Sequence, residues 1–215
     1  MVQTPQTCFV IDTTPDFRYQ MLRTHTKHVD AIVFTHPHKD HIAGLDDIRA
    51  LNYVMQRPMY LYANSLTEQA IRKDFYYAFA EQKYPGVPEL VMNTIDEHPF
   101  MVGEVQLQPI QVWHLKMPVY GYRFNDVTYI TDANKIDEAE LEKIKGTKIL
   151  ILNALRKEPH ISHFTLSEAI DIAMQVQAEQ VYFTHISHQL GKHDDVTKEL
   201  PPHIHLAYDG LQLHV

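Results

Sequence analysis

Short apolar runs bounded by polar residues recur along this chain, and most are followed by stretches with helical spacing. Cys8 to Asp12 reads as a strand, and Pro15 to Leu22 as a short helix with Pro15 near its first position. Ala31 to Phe34, β-branched at its centre, reads as a second strand. From His41 to Gln56 the apolar residues Ile42, Leu45, Ile48, Leu51 and Met55 recur at the spacing of a one-faced helix. Met59 to Tyr62 predicts a strand. Ser65 then predicts a cap for a helix through about Phe79, with Glu68 three residues on. Tyr84-Pro85-Gly86-Val87-Pro88 is a break, read as a turn or as part of a loop leaning over a site.

The second half continues the alternation. Gln106 to His114 predicts a long strand, and Tyr120 to Phe124 with Val127 to Thr131 a hairpin around Asn125-Asp126. Asp137 to Lys145 predicts a helix closed by Gly146, Ile149 to Leu152 a buried strand, and Thr165 to Val176 a helix with Glu168 in its first turn. Val181 to Thr184 is a further strand. Leu206 to Leu213 is expected to form a last strand pair around Asp209-Gly210. No linker-like shift of composition interrupts the chain, so residues 1–215 are expected to form one α/β domain of two sheets with helices outside.

The chemistry concentrates where a strand ends. Directly after Ala31-Ile32-Val33-Phe34 comes Thr35-His36-Pro37-His38-Lys39-Asp40-His41. Neutral imidazoles and a carboxylate are ligands that suit zinc, manganese and ferrous iron. Three more candidates follow apolar runs: His114 after Ile110 to Trp113, Asp132 after Tyr129 to Thr131, and His185 after Val181 to Thr184. Alone, each would be an ordinary strand-end or turn residue. Together with His36, His38, Asp40 and His41 they make seven donors, which divide naturally into three for one ion, three for another and a bridging carboxylate.

Composition narrows the partners. The 215 residues carry a formal net charge of −8 and no long basic run, which argues against an extended nucleic-acid surface. A small phosphate substrate stays compatible, because bound dications reverse the local field. The one cysteine, Cys8, rules out an intrachain disulfide and fits a reducing, cytoplasmic compartment; it is expected to be a small buried apolar residue. No stretch is apolar enough to span a bilayer, and no signal peptide is recognisable at the N-terminus.

These runs resemble the metallo-β-lactamase fold superfamily, whose signature is His-x-His-x-Asp-His, and within it the phosphodiesterase branch that includes PhnP and ribonuclease Z. Supporting segments are Ile11 to Arg18, Gly44 to Arg49, Tyr129 to Ala133, His160 to Phe164 and Thr184 to His188. The resemblance implies a four-layer αββα sandwich. It implies that His36, His38 and His114 hold one divalent ion, that Asp40, His41 and His185 hold the second, and that Asp132 bridges them. Zinc or manganese is expected, with iron also compatible. His163 matches the histidine beside the substrate phosphate, so Asp40 and His163 are the candidates for direct chemistry. His160 and His188 are expected to stand behind the site or on the surface. Asp12 is expected to support the ligand loop, and Asp46 or Asp47 to orient an imidazole or to lie on a solvated helix face.

Three departures from the family pattern are visible. The chain starts almost at the family's Asp-Thr strand, as though about fifty residues of the usual N-terminal strands were missing; the exposed edge this leaves would be covered by homodimer formation. The cysteines of a structural zinc site in some relatives are not present, so no such site is expected. Thr14 stands where glycine is common, so its turn must accept a β-branched residue. The function expected is hydrolysis of a phosphodiester on a small nucleotide or cyclic phosphate by a hydroxide generated between two ions. The alternatives are thioester or other hydrolysis on the same fold, or metal binding without turnover.

Overall fold

A computed structural model describes residues 1–215. The chain divides into two units, Met1–Gln106 and Leu107–Val215.

The first unit contains strands β1 (Val2–Gln3), β2 (Cys8–Ile11), β3 (Ala31–Val33), β4 (Met59–Ala63), β5 (Leu90–Thr94) and β6 (Phe100–Val102). Its helices are α1 (Phe17–Arg23), α2 (Lys39–Ile42), α3 (Arg49–Met55), α4 (Ser65–Asp74) and α5 (Tyr76–Phe79). The sheet order is β1-β2-β3-β4-β5, parallel from β2 to β5, with β1 antiparallel on the outer side of β2. All three residues of β3 are buried, as expected for a parallel strand with both faces covered. Phe17, Ile42, Leu45, Ile48 and Ile71 pack with Val10, Ile32, Phe34, Met59 and Leu61 to form the core of this unit. Each such side chain contributes about 1.5–3 kcal/mol by burial. Because β2 and β3 run parallel, Asp12 and residues 34–41 leave the sheet at the same edge.

The chain passes into the second unit within β7 (Val105–His114). There follow β8 (Met117–Phe124), β9 (Val127–Ile130), β10 (Lys135–Ile136), α6 (Glu138–Ile144), β11 (Ile149–Asn153), α7 (Leu166–Val176), β12 (Gln180–Thr184), α8 (His193–Thr197) and β13 (Ile204–Leu206). The strands are ordered β10-β7-β8-β9-β11-β12-β13. β8 is antiparallel to both β7 and β9, while β9, β11, β12 and β13 are parallel. Hence β7, β9 and β12 all end at one edge, and His114, Asp132 and His185 stand at those ends. Ile110, Val112, Ile130, Leu150, Leu152 and Phe183 pack with Ala169, Ala173 and Val176 of α7. Helix α7 starts in a reciprocal cap: Thr165 Oγ1 accepts from the Glu168 amide at 3.2 Å, and Glu168 Oε2 accepts from the Thr165 amide at 2.8 Å.

Four local expectations are corrected. The single helix predicted from His41 to Gln56 is three pieces: α2, a 3-10 stretch over Ala43–Ile48, and α3. The turn after β2 competes for its backbone. The Thr13 amide donates to His41 O at 2.7 Å and the Gly44 amide donates to Thr13 O at 3.0 Å. A side chain at Gly44 would place its Cβ 2.1 Å from Thr14 O, so the close approach requires glycine. The cap of α4 is Asn64, whose Oδ1 accepts from the Thr67 amide at 2.9 Å, and the predicted helix to Phe79 breaks at Phe75. The break accompanies a hydrogen bond from Tyr77 Oη to Asp46 Oδ1 at 2.6 Å, which takes up Asp46. Finally, the predicted strand pair after Leu206 does not form. The Ala207 amide still donates to Phe183 O at 2.8 Å, but the chain then turns at Tyr208 and leaves the sheet. Thr14 needs no glycine, because the left-handed residue of its turn is Asp12, at φ 60.

Candidate metal centre

In the first unit the donors are organised by Asp12. Its Oδ1 accepts from the Thr35 amide and its Oδ2 from Thr35 Oγ1, both at 2.8 Å. The same Oδ2 accepts from His41 Nδ1 at 2.8 Å. A carboxylate only accepts, so His41 carries its proton on Nδ1 and presents Nε2 as an electron-pair donor. Thr35 Oγ1, having given its hydrogen to Asp12, accepts from His36 Nδ1 at 2.9 Å. His36 is thereby fixed in the same tautomer. The three bonds to the Asp12 carboxylate offset its left-handed backbone, at φ 60, a conformation that costs a non-glycine residue about 1–3 kcal/mol.

His36 and His41 are buried, while His38 and Asp40 are exposed. The rings of His36 and His41 are 4.0 Å apart and those of His36 and His38 4.7 Å. His41 Nε2 lies 3.4 Å from Asp40 Oδ2. Imidazoles oriented by hydrogen bonds at Nδ1 and crowded beside a carboxylate fit a divalent cation.

In the second unit the centre is Asp132, 2% exposed. Its Oδ2 lies 3.3 Å from His163 Nε2 and 3.2 Å from His185 Nε2. Both Asp132 and His185 have left-handed backbones, at φ 51 and φ 54. Asn153, at the end of β11, holds the Asp132 loop: its Oδ1 accepts from the Ala133 amide and its Nδ2 donates to Ala133 O, both at 2.9 Å. His114 Nδ1 donates to Ser162 O at 2.8 Å, so it too presents Nε2. The donor atoms of His114, Asp132 and His163 all lie within 4.8 Å of one another. The His163 ring stacks on His185 with centroids 4.7 Å apart. A nearly buried carboxylate among imidazoles is costly unless compensated by protons or by a cation.

The first unit thus gathers His36, His38, Asp40 and His41, and the second gathers His114, Asp132, His163 and His185. Asp12 does what its position implied, bonding His41. Asp46 instead serves Tyr77, and His188 lies on a short 3-10 turn. His160 stands against His163, with Nδ1 atoms 3.1 Å apart. Its pKa is held below the ordinary histidine value by burial, then by the nearby charges of His163, Arg156 and His185. Sequence reasoning missed Thr35, Asn153 and Ser162. A buried amide at the end of an apolar strand was the one available signal, since Asn153 must find partners there.

The beta-lactamase superfamily domain matches residues 7–186 of the chain. The chain belongs to this superfamily. A crystal structure of a new diphosphatase from the PhnP family is 40% identical, with a TM-score of 0.89 over 96% of this chain and 79% of that one. This superfamily member therefore falls in the PhnP family. The human short-form tRNase Z shares the fold at 16% identity and a TM-score of 0.72, covering 98% of this chain and 89% of that one. Among curated proteins, an octanoyltransferase of Porphyromonas gingivalis is 35% identical over 205 residues, 94% of this chain. The chain spans 41% of the length of that relative. The anti-Pycsar protein Apyc1 of Paenibacillus harenae is 24% identical, over 79% of this chain and 75% of its own length. No helix of the chain is long and apolar enough to cross a membrane.

Proposed function

We propose that the protein is a metal-dependent hydrolase that cleaves a phosphodiester in a small nucleotide or cyclic phosphate. One observation carries the reading: His36, His41 and His114 are each locked by an oxygen acceptor at Nδ1, leaving Nε2 to bind metal, in a chain of the PhnP family. His36, His38 and His114 would hold one ion, Asp40, His41 and His185 the other, and Asp132 both. The donor set suits zinc, manganese or ferrous iron. Two such ions supply Lewis acidity and a water activated near neutral pH.

The chain's own residues do the rest. Asp12, Thr35 and Ser162 O keep the ligating rings in one orientation. His163, with Nε2 on the Asp132 carboxylate, stands where a phosphoryl group bound beside Asp132 would meet it. Its Nε2 proton passes to the leaving oxygen as the P–O bond breaks. The net charge of −8 favours a small substrate over a long nucleic acid.

Turnover of bis(p-nitrophenyl) phosphate by folded protein loaded with zinc or manganese is the expected result; no turnover with either metal contradicts it. His163→Ala is expected to lower turnover by about a hundredfold or more at constant metal content. A diphosphate linkage is a second reading, favoured by the 40% identical relative that is a diphosphatase. Release of two monophosphate products from a dinucleoside diphosphate would favour it over the diester.

A further inference from the structure

We propose that Leu115 and Ile161 form an apolar seat for the nucleobase of the substrate, at the rim of the donor cluster of the second unit. The inference rests on the proposed hydrolysis and names its substrate as a nucleoside ester. Both side chains are large and apolar, yet Leu115 is 53% exposed and Ile161 73%. Each flanks the bond that orients His114. Leu115 follows His114 in the chain, and Ile161 precedes Ser162, whose carbonyl accepts from His114 Nδ1 at 2.8 Å.

One side chain ties the two segments together. The Leu115 amide donates to Asn134 Oδ1 at 2.8 Å, and Asn134 Nδ2 donates to Ile161 O at 3.2 Å. Asn134 is anchored in turn by its own backbone amide, which donates to Trp113 O at 2.9 Å. The backbones of Leu115 and Ile161 are thus bridged by a single carboxamide. They stand beside a histidine whose donor atom lies within 4.8 Å of those of Asp132 and His163. A substrate whose phosphate enters that cluster brings its adjoining groups against this rim.

The backbone of Leu115 shows that the fold does not ask for a leucine there. His114 pairs with Met117 across β7 and β8, so Leu115 and Lys116 are the central residues of the hairpin turn. Leu115 has φ 59, in the left-handed region where such turns favour glycine or asparagine. A leucine that strains its turn and leaves its side chain largely in water contributes little to folding. Departures of this kind from local preference belong to residues that serve a ligand. Two side chains are too small a patch for a stable protein partner. More than half exposed, they make an open surface and not an enclosing tunnel, which suits the flat face of a base better than a flexible chain. Neither carries a hydrogen-bonding group, so the seat does not read the edge of the base, and purines and pyrimidines should gain alike.

The test holds the leaving group constant. Zinc-loaded wild type, Leu115→Gly and Ile161→Ala are assayed on the p-nitrophenyl esters of thymidine monophosphate, adenosine monophosphate, methyl phosphate and n-hexyl phosphate. Wild type should prefer both nucleoside esters to the methyl ester. Each variant should lose about tenfold more kcat/KM on the nucleoside esters than on the methyl ester, mainly through KM. Equal losses on nucleoside and methyl esters, or a hexyl ester preferred as strongly as the nucleoside esters, overturn the proposal. Leu115→Gly relaxes the turn, so its unfolding midpoint should not fall; a fall would show that the leucine serves the fold and would also overturn it. Methyl NMR of Leu115 and Ile161 supplies a readout independent of turnover. Their signals should move when adenosine monophosphate is added and stay in place with ribose phosphate, and methyls unmoved by the nucleotide overturn the seat. Wild type inactive on every ester, with methyls that still respond to the nucleotide alone, would remove the phosphodiesterase reading and leave the seat standing.

Discussion

Each of the two units gathers a donor cluster by the same device, and they differ in how the chain is spent on it. In each, side chains leave a parallel set of strands at the carboxyl edge, and a left-handed residue turns a carboxylate inward: Asp12 in the first unit, Asp132 in the second. In the first, the donors fall within the six residues from His36 to His41 in the segment after β3, and Asp12, just beyond the neighbouring strand β2, supports them. In the second, the donors come from the ends of β7, β9 and β12, and the carboxylate is itself the proposed ligand. Removing a support and removing a ligand should therefore have different signatures.

The largest effect is expected from Asp132→Ala. It deletes the acceptor facing His163 and His185 as well as the proposed bridging ligand, so kcat/KM should fall by more than about a thousandfold, with loss of metal. Asp12→Asn should be milder and of another kind. The ligands remain, but His41 loses the carboxylate at its Nδ1, and metal affinity should fall about 10–100-fold by titration calorimetry. If Asp12→Asn were as severe as Asp132→Ala, the distinction between support and ligand would fail.

The asymmetry also explains what the sequence could disclose. The run from His36 to His41 is legible because its ligands are adjacent and follow an unmistakable apolar strand. His114, Asp132 and His185 become legible only once strand ends are used as a filter. Thr35 and Ser162 could not be found that way, because one acts through a side-chain relay and the other through a carbonyl whose partner is 48 residues distant. The fold class followed from alternation, whereas the broken helix after His41 did not. Its periodicity is helical throughout, and the interruption comes from Thr13, a residue of another element.

Two smaller changes probe the frame of the first unit. Gly44→Ala would force a Cβ to within 2.1 Å of Thr14 O and 2.6 Å of Phe17 Cβ. It should cost about 1–3 kcal/mol in denaturant unfolding. An unchanged midpoint would show that the turn after β2 does not constrain α2. Asp30 tests the opposite side of the sheet. Burial pushes its pKa up, but bonds from Arg57, the Cys8 amide and His28 prevail and hold it below the ordinary carboxylate value. Its contribution is therefore present above the ordinary carboxylate range and lost as pH falls through the lowered value. Asp30→Asn should cost about 1 kcal/mol near pH 7, and the difference from wild type should shrink in acid. A difference that does not change with pH would contradict this.

The central claim, that the donor clusters of the two units bind metal, is tested most directly by metal analysis of zinc-loaded protein and of one ligand variant from each unit. The account predicts about two zinc ions per chain in wild type, and a loss of zinc in both His38→Ala and His185→Ala. Full zinc content in either variant, with turnover unchanged, would contradict it.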